Sequence, residues 1–141
     1  MKNESKGTAA ELIKAIGDLY VLKIKKETEA LGVKNAYRPL LAALKECDGG
    51  DQLSLAGRTN IKAPTVSITL RKMEKDGIVD RVVDENDLRR TRVFLTEKGK
   101  KLASDTEKCI EDIDASFTAG MTKEQKTFFI SSLEKIRASL E

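Results

Sequence analysis

The chain has 141 residues, 40% hydrophobic and 35% charged, enough for one compact domain or two small, closely packed ones. It carries a net charge of +3 and two cysteines but no histidine, which excludes His-containing zinc sites and catalysis by Ser-His or Cys-His pairs. No apolar run is long enough to span a membrane, and the polar start of the chain lacks the apolar core of a signal peptide, so we expect a cytoplasmic protein.

Two helices are predicted in the first third of the chain. The first begins at Thr8, which has the capping-box spacing with Glu11, and Gly32 ends it. The second runs from about residue 35 to residue 47, with Pro39 in its first turn, where a missing N–H group is tolerated.

A helix-turn-helix is predicted next, after the chain break Asp48-Gly-Gly-Asp51. Residues 52–58 form a short helix with Leu53 and Ala56 facing inward, and residues 59–61 form a tight turn with one buried apolar side chain. A second helix follows closely, and two helices joined by such a turn are typical of a helix-turn-helix.

The second helix of this motif is predicted from about Ala63 to about Asp76, with Pro64 in its first turn and Gly77 just past its end. Its apolar stripe has helical spacing and consists of Val66, Leu70 and Met73. The opposite face is uncharged near the N-terminus and basic further along. Such a face can meet base edges with its first turn and phosphates with its flank.

A β-hairpin is predicted after this helix. The β-branched run 78–83 and the run 92–95 each have the composition of a short strand. The polar loop between them carries Arg89 and Arg90 near its tip. Together the strands and the loop form a wing.

Two further helices are predicted at the C-terminal end. Thr96 caps a long helix that reaches about Ala119, and the capping-box spacing of Thr122 and Gln125 begins the last helix. A helix at each end of a chain, with a long apolar stripe, can pack against its twin in a dimer. The alternative is that these helices fold back on their own chain.

Positive charge is concentrated in the helix-turn-helix and the wing. Residues 53–99 contain ten Lys or Arg against seven Asp or Glu, whereas the two flanks are nearly neutral. This placement suits contacts with phosphates, although a solvated mixed surface would also be compatible with it.

Short motifs in the central third of the chain resemble the MarR family of bacterial and archaeal regulators. They are Leu55-Ala56, Pro64-Thr-Val-Ser67, Met73-Glu-Lys-Asp-Gly77, Asp87-Leu-Arg89 and Leu95-Thr-Glu-Lys-Gly99. The family's wing motif, Asp-x-Arg followed by a strand that ends in Leu-Thr-x-x-Gly, is present in full. Two positions depart from the family pattern, since Lys62 stands where Ser is common and Ile68 where Arg is common. Ile68 is suited to touching a thymine methyl group.

The resemblance implies a mainly α fold, with a winged helix-turn-helix (a three-helical core and a β-hairpin wing) at residues 35–99 and dimerisation helices in residues 1–34 and 100–141. It implies a sequence-specific DNA-binding transcriptional regulator that acts as a homodimeric repressor, is released from operator DNA by a small-molecule ligand, and is not an enzyme. The expected partners are double-stranded operator DNA, a second copy of the chain and a small-molecule effector, and no cofactor, metal or membrane is expected.

The expected DNA-binding residues fall into three groups. Bases are met by Pro64, Thr65, Ser67 and Ile68; phosphates by Arg58, Lys62, Arg71 and Lys72; and the minor groove by Arg89 and Arg90, with Asp87 orienting Arg89. One alternative is a winged helix used only to bind proteins, which would need no basic wing. Another is a redox sensor that uses Cys47 or Cys109, although both lie on apolar stripes, where a buried cysteine is usually inert.

Overall fold

The computed structural model of the protein describes residues 7–141. In chain order these form α1 (Ala9–Ala30), a 3-10 turn (Asn35–Tyr37), α2 (Arg38–Glu46), α3 (Gln52–Thr59), α4 (Ala63–Lys75), β1 (Val79–Val83), β2 (Thr91–Leu95), α5 (Glu97–Thr118) and α6 (Lys123–Leu140). The chain divides into two compact units, one that ends at Cys109 and one that comprises Ile110–Glu141. The prediction that the polar start of the chain is not a signal peptide concerns residues 1–7, and of these only Gly7 is among the described residues. Over residues 7–141, no helix has the length and apolar character needed to cross a membrane.

The first helix begins as predicted. The Thr8 hydroxyl accepts a hydrogen bond from the Glu11 amide at 3.2 Å, and the Glu11 carboxylate accepts one from the Thr8 amide at 2.8 Å. Gly32 follows the helix with a φ of +86°, a left-handed conformation that glycine adopts without strain. Only Ile24 and Thr28 of α1 are buried, so most of the predicted apolar face is exposed on a single chain.

A hydrophobic core lies beneath the helix-turn-helix and the sheet. The predicted stripe of α4 is confirmed, because Val66, Leu70 and Met73 are fully buried. Large buried side chains around them come from the 3-10 turn, α2, α3, the strands and the residue before β1: Tyr37, Leu40, Leu41, Leu44, Leu55, Val79, Val93 and Ile78. The core therefore fixes the back of α4 and leaves its opposite face to solvent.

The predicted inward face of α3 is wrong in one residue. Leu53 is 77% exposed, whereas Leu55 is 1% exposed and Ala56 is buried as expected. The helix begins at Gln52, after Asp51 as N-cap, so Leu53 lies in the first turn. Leu55 is rotated by about 200° from Leu53 around the helix axis, and the side of α3 that carries Leu55 faces the core.

The segment 48–51, predicted as a simple break, also joins the sheet. The Gly49 amide donates to the Val93 carbonyl at 2.8 Å, and the Val93 amide donates to the Gly50 carbonyl at 2.9 Å. The Leu95 amide donates to the Asp48 carboxylate at 2.8 Å. This short segment lies along β2 and connects the hairpin to the start of α3.

The C-terminal end of α4 is held by a buried tyrosine. The Tyr37 hydroxyl donates to the Asp76 carboxylate at 2.7 Å, and Lys34 lies 3.6 Å from the same carboxylate. Burial, together with this hydrogen bond, raises the pKa of Tyr37 to about 12. The hydrogen bond from Tyr37 and the nearby Lys34 lower the pKa of Asp76. These contacts hold the C-terminal end of α4 against the segment before α2.

The start of α5 is joined to the start of the wing through Thr96. The Thr96 amide donates to the Ile78 carbonyl at 3.0 Å, and its hydroxyl donates to the Gly77 carbonyl at 2.6 Å. The same hydroxyl accepts from the Gly99 amide at 3.0 Å, which confirms Thr96 as the cap of α5. The predicted capping box between Thr122 and Gln125 at the start of α6 is also present.

Candidate nucleic-acid interface

The outward face of α4 carries most of the predicted base-contacting and phosphate-contacting residues. Pro64, Thr65, Ile68, Arg71 and Lys72 are exposed, and Ser67 is half-buried. This division follows from the helical repeat, because the three buried residues of the stripe occupy the other side of the helix. The face thus presents small and apolar groups at its N-terminal end and cations along its flank.

The N-terminus of α4 has no side-chain cap. Lys62 is the N-cap residue with extended backbone angles, and its side chain makes no capping hydrogen bond. Thr65 lies within the first turn, so it is not the cap of this helix. The first amide groups of α4 therefore have no side-chain acceptor at the N-cap, and they lie beside the exposed Lys62, an arrangement that favours a phosphate.

A left-handed residue sets the angle between α3 and α4. Asn60 has a φ of 56° and ends α3, and it is the one residue other than glycine with positive φ in the part of the chain that the structure describes. Asparagine tolerates this conformation better than most residues. The next residue, Ile61, is partly buried against the core, as the sequence predicted.

The wing is a regular antiparallel hairpin. Val79 pairs with Leu95 and Val83 with Thr91, so the two strands are in register along their full length. The connecting loop is closed by two backbone hydrogen bonds of 2.9 Å, from the Asp84 amide to the Arg90 carbonyl and from the Arg90 amide to the Asp87 carbonyl. These bonds give the tip of the wing a defined shape.

Arg89 projects from this tip and pairs with Asp87. The Arg89 Nε and its backbone amide each donate to Asp87 Oδ1 at 3.1 Å. The pair lowers the pKa of the Asp87 carboxyl, because the arginine favours the ionised form. The Arg89 side chain is nevertheless 91% exposed. Its guanidinium group is therefore oriented by a neighbour and still open to a ligand.

Arg90 has a different environment from Arg89, although the sequence placed both at the wing tip. Its guanidinium group donates to Asp51, the N-cap residue of α3, through Nε at 3.1 Å and Nη2 at 2.5 Å. Arg58 lies 3.9 Å from Glu46 and is half exposed. The structure thus leaves the outward face of α4 and Arg89 open to solvent, whereas the Arg90 side chain, 55% exposed, is hydrogen-bonded to the start of α3.

One polar cluster between the wing and the helices was not predicted from the sequence. Arg81 on β1 donates to Glu74 of α4 at 3.0 Å and to Gln52 of α3 at 3.4 Å. The hydrogen bond from Arg81 also lowers the pKa of Glu74. The signal in the sequence was a lone arginine within a β-branched strand. Among the residues described, no group of three or more acidic, Cys or His side chains could hold a metal ion.

Comparison with known proteins identifies the family of this fold. The sequence model of the MarR family matches residues 40–91, which span α2 to the start of β2. The crystal structure of a MarR transcriptional regulator from Methanosarcina mazei Go1 is 33% identical, covers 92% of this chain and 96% of its own, and superposes with a TM-score of 0.72. The chain belongs to the MarR family. It is accordingly a transcription regulator with a winged-helix fold and not an enzyme.

Other MarR-type regulators match along nearly the whole chain. MepR, a transcription regulator of the Staphylococcus aureus multidrug efflux pump MepA, is 25% identical with a TM-score of 0.83, and the match covers 96% of this chain and all of MepR. The crystal structure of the MepR–DNA complex matches with the same identity and coverage and a TM-score of 0.73. The predicted family and fold class are therefore confirmed over α1 to α6.

Proposed function

We propose that this MarR-family protein is a sequence-specific DNA-binding regulator that places α4 in the major groove of its operator and Arg89 in the adjacent minor groove. The observation that carries the proposal is the exposed face of α4, where Thr65 and Ile68 project near the uncapped N-terminus and Arg71 and Lys72 follow along the flank. Base edges are read from the first turns of such a helix, and phosphates are held by cations beside it. That the similar protein MepR has been crystallised in complex with DNA supports DNA binding by this chain.

Each group on this surface has a distinct task under the proposal. Thr65 and Ser67 hydrogen-bond base edges, Ile68 contacts a thymine methyl, and Pro64 packs beside them at the groove. Lys62, Arg71, Lys72 and Arg58 bind phosphates. Arg89 enters a narrow minor groove, where the negative potential is strong, and Asp87 limits the directions that its guanidinium group can take.

We also propose that the protein acts as a homodimer. On a single chain, α1 exposes Leu12, Ile16, Leu19 and Leu22, and α6 buries none of its residues. Apolar surfaces of this extent usually mark an interface between proteins. A second copy that covers the helices of residues 1–34 and 100–141 would present two recognition helices to two half-sites, one helical turn apart.

The proposed regulatory action is repression that a small ligand relieves, in the cytoplasm where the operator lies. The family resemblance of the motifs supports this part of the proposal, as does the link between the similar protein MepR and a multidrug efflux pump. The direct test is a binding assay on the DNA upstream of the protein's own gene, followed by addition of the substrates of neighbouring gene products. If the operator affinity of the purified dimer did not change with salt concentration, the proposal of DNA binding would be contradicted. That result would favour a module that binds only proteins.

The interface assignment is tested by variants on the two proposed contact surfaces. Arg89→Ala should weaken binding to operator and scrambled DNA alike and reduce the salt slope by about one. Thr65→Ala and Ser67→Ala should cost about 1–3 kcal/mol on the operator and much less on scrambled DNA, because base contacts carry sequence preference.

A control for the wing variant is Lys45→Ala, which removes an exposed charge of α2 outside the proposed DNA-binding and dimer surfaces. This control should leave both affinities within error of the parent protein. Equal loss of affinity in Arg89→Ala and Lys45→Ala would show that the wing makes no specific contact. Loss of thermal stability in Thr65→Ala, with the sequence preference retained, would remove Thr65 from the base-reading set.

A further inference from the structure

Asp51 lies where the start of α3, the wing and the short segment 48–51 meet. It is the N-cap residue of α3, and its Oδ1 accepts a hydrogen bond from the Ser54 amide at 2.7 Å. Its backbone forms a bridge with Arg92 of β2. Only 15% of its side chain is exposed, and the Ser54 amide and then Arg90 lower its pKa. The position of this carboxylate is therefore fixed by the helix-turn-helix.

The second oxygen of the same carboxylate holds the wing. Arg90, the last residue of the wing loop, donates both Nε and Nη2 to Asp51 Oδ2. Two donors on one rigid guanidinium group define its direction as well as its distance. The Arg90 backbone is also part of the hydrogen bonds that close the wing loop, so the side-chain contact fixes the loop and not only its own end.

The residue after Asp51 provides a second connection. The Gln52 side chain accepts from Arg81 of β1, and Arg81 also donates to Glu74 of α4. The backbone amide of Arg81 donates to Glu74 as well, at 3.3 Å. Asp51, the N-cap residue of α3, thus contacts Arg90 at the end of the wing loop, and Gln52, the first residue of α3, contacts Arg81 in β1. Through Glu74, α4 belongs to the same hydrogen-bond network.

We propose that Asp51 and Arg90 form a brace that holds the wing at a fixed angle to α4, so that Arg90 supports DNA affinity as a positioning residue without touching DNA. The inference rests on the proposed function, since the wing must reach DNA for its angle to affect affinity. Arg89 is the wing residue that contacts DNA, and the brace determines where Arg89 lies relative to the bases under α4. Asp51, although acidic, then favours DNA binding.

In the variant Asp51→Asn, the loss of charge and the loss of the brace have opposite effects on DNA affinity. Asp51→Asn removes a negative charge close to the DNA-binding surface, which by itself strengthens binding to a polyanion. Asparagine caps a helix as well as aspartate does, so α3 is preserved. The brace, however, loses the charge-assisted bonds from Arg90. We therefore expect Asp51→Asn to lower operator affinity about fivefold, the size associated with a favourable exposed ion pair.

The experiment measures operator affinity for the full-length protein, Asp51→Asn, Arg90→Gln and the double variant. A brace predicts that both single variants weaken binding, Arg90→Gln the more because it also removes a positive charge near the DNA, and that the double variant is no weaker than Arg90→Gln. Arg90→Lys keeps the charge but not the two-donor geometry, so it should bind less tightly than the parent protein. The control Asp80→Asn removes an exposed carboxylate of β1 outside the brace and should not weaken binding.

The outcomes separate the brace from the proposed function. If Asp51→Asn binds as tightly as the parent protein or more tightly, or if Arg90→Lys matches the parent, Arg90 acts as a point charge and the brace is refuted while DNA binding stands. If the losses of the two single variants add in the double variant, the brace is refuted too. If the parent protein shows no salt-dependent operator binding, the proposed function fails and the brace fails with it.

Discussion

Gly99 provides the sharpest test of the junction between the wing and α5. A Cβ atom at this position would lie 2.1 Å from the carbonyl oxygen of Ile78 and 3.1 Å from a methyl carbon of Leu95. That carbonyl oxygen also accepts hydrogen bonds from the amide and the hydroxyl of Thr96. We therefore expect Gly99→Ala to force α5 away from the start of β1 and to stretch both bonds.

The effect of Gly99→Ala on the free energy of unfolding is the sum of opposing contributions. Overpacking of this kind costs about 1–3 kcal/mol, and weakening a hydrogen bond adds about 1 kcal/mol. Alanine regains about 0.5–1 kcal/mol relative to glycine inside a helix. The expected net loss is about 1–3.5 kcal/mol, which corresponds to a melting temperature about 3–12 °C lower for a chain of this size.

Thermal and urea unfolding of matched variants measure this loss. Gly57→Ala is the control, because a Cβ on this helical glycine of α3 meets no atom within 4 Å. It should stabilise the protein by about 0.5–1 kcal/mol. If Gly99→Ala were as stable as the parent protein or more stable, the tight contact with Ile78 would not be what requires glycine in the Leu-Thr-x-x-Gly motif.

Three further predictions follow from other parts of the chain. The pKa of Tyr37 is raised to about 12. The stability that this shift contributes is therefore complete below the usual tyrosine pKa of about 10 and is lost as the pH rises to 12. Tyr37→Phe should remove that part of the alkaline destabilisation. Cys47→Ser and Cys109→Ser should leave operator binding and its response to mild peroxide unchanged, since both cysteines are half-buried. Leu19→Glu should shift the protein from dimer to monomer in light scattering, because it places a charge in the proposed interface.

Each of these predictions has a control and a contradicting result. Near-ultraviolet titration of tyrosinate should show a late-ionising group that Tyr37→Phe removes and Tyr20→Phe retains; the reverse would contradict the assigned pKa. Peroxide-driven release from DNA that either serine variant abolishes would support the redox alternative. Leu88→Glu changes an exposed leucine of the wing and should remain a dimer, whereas a monomeric Leu88→Glu or a dimeric Leu19→Glu would place the interface elsewhere.

The helices and strands of this protein could be predicted from the sequence, because their signals are local. The capping boxes at Thr8 and Thr122 and the cap at Thr96 act over three residues, and the structure has helices beginning at each of them. The stripe of Val66, Leu70 and Met73 predicted the buried face of α4, and its exposed face followed from the helical repeat. The Leu-Thr-x-x-Gly motif indicated the family, and the contact between Gly99 and Ile78 gives its physical reason.

Contacts between groups that are distant along the chain could not be predicted in this way. Leu53 was expected inside and is exposed, because the direction of the core is set by elements packed around α3 and not by the eight residues of that helix. Arg90 looked equivalent to Arg89 in sequence, yet its partner Asp51 lies 39 residues earlier. Periodicity and capping report only on neighbours along the chain, whereas the angle of a wing to its recognition helix depends on contacts between segments that folding alone brings together.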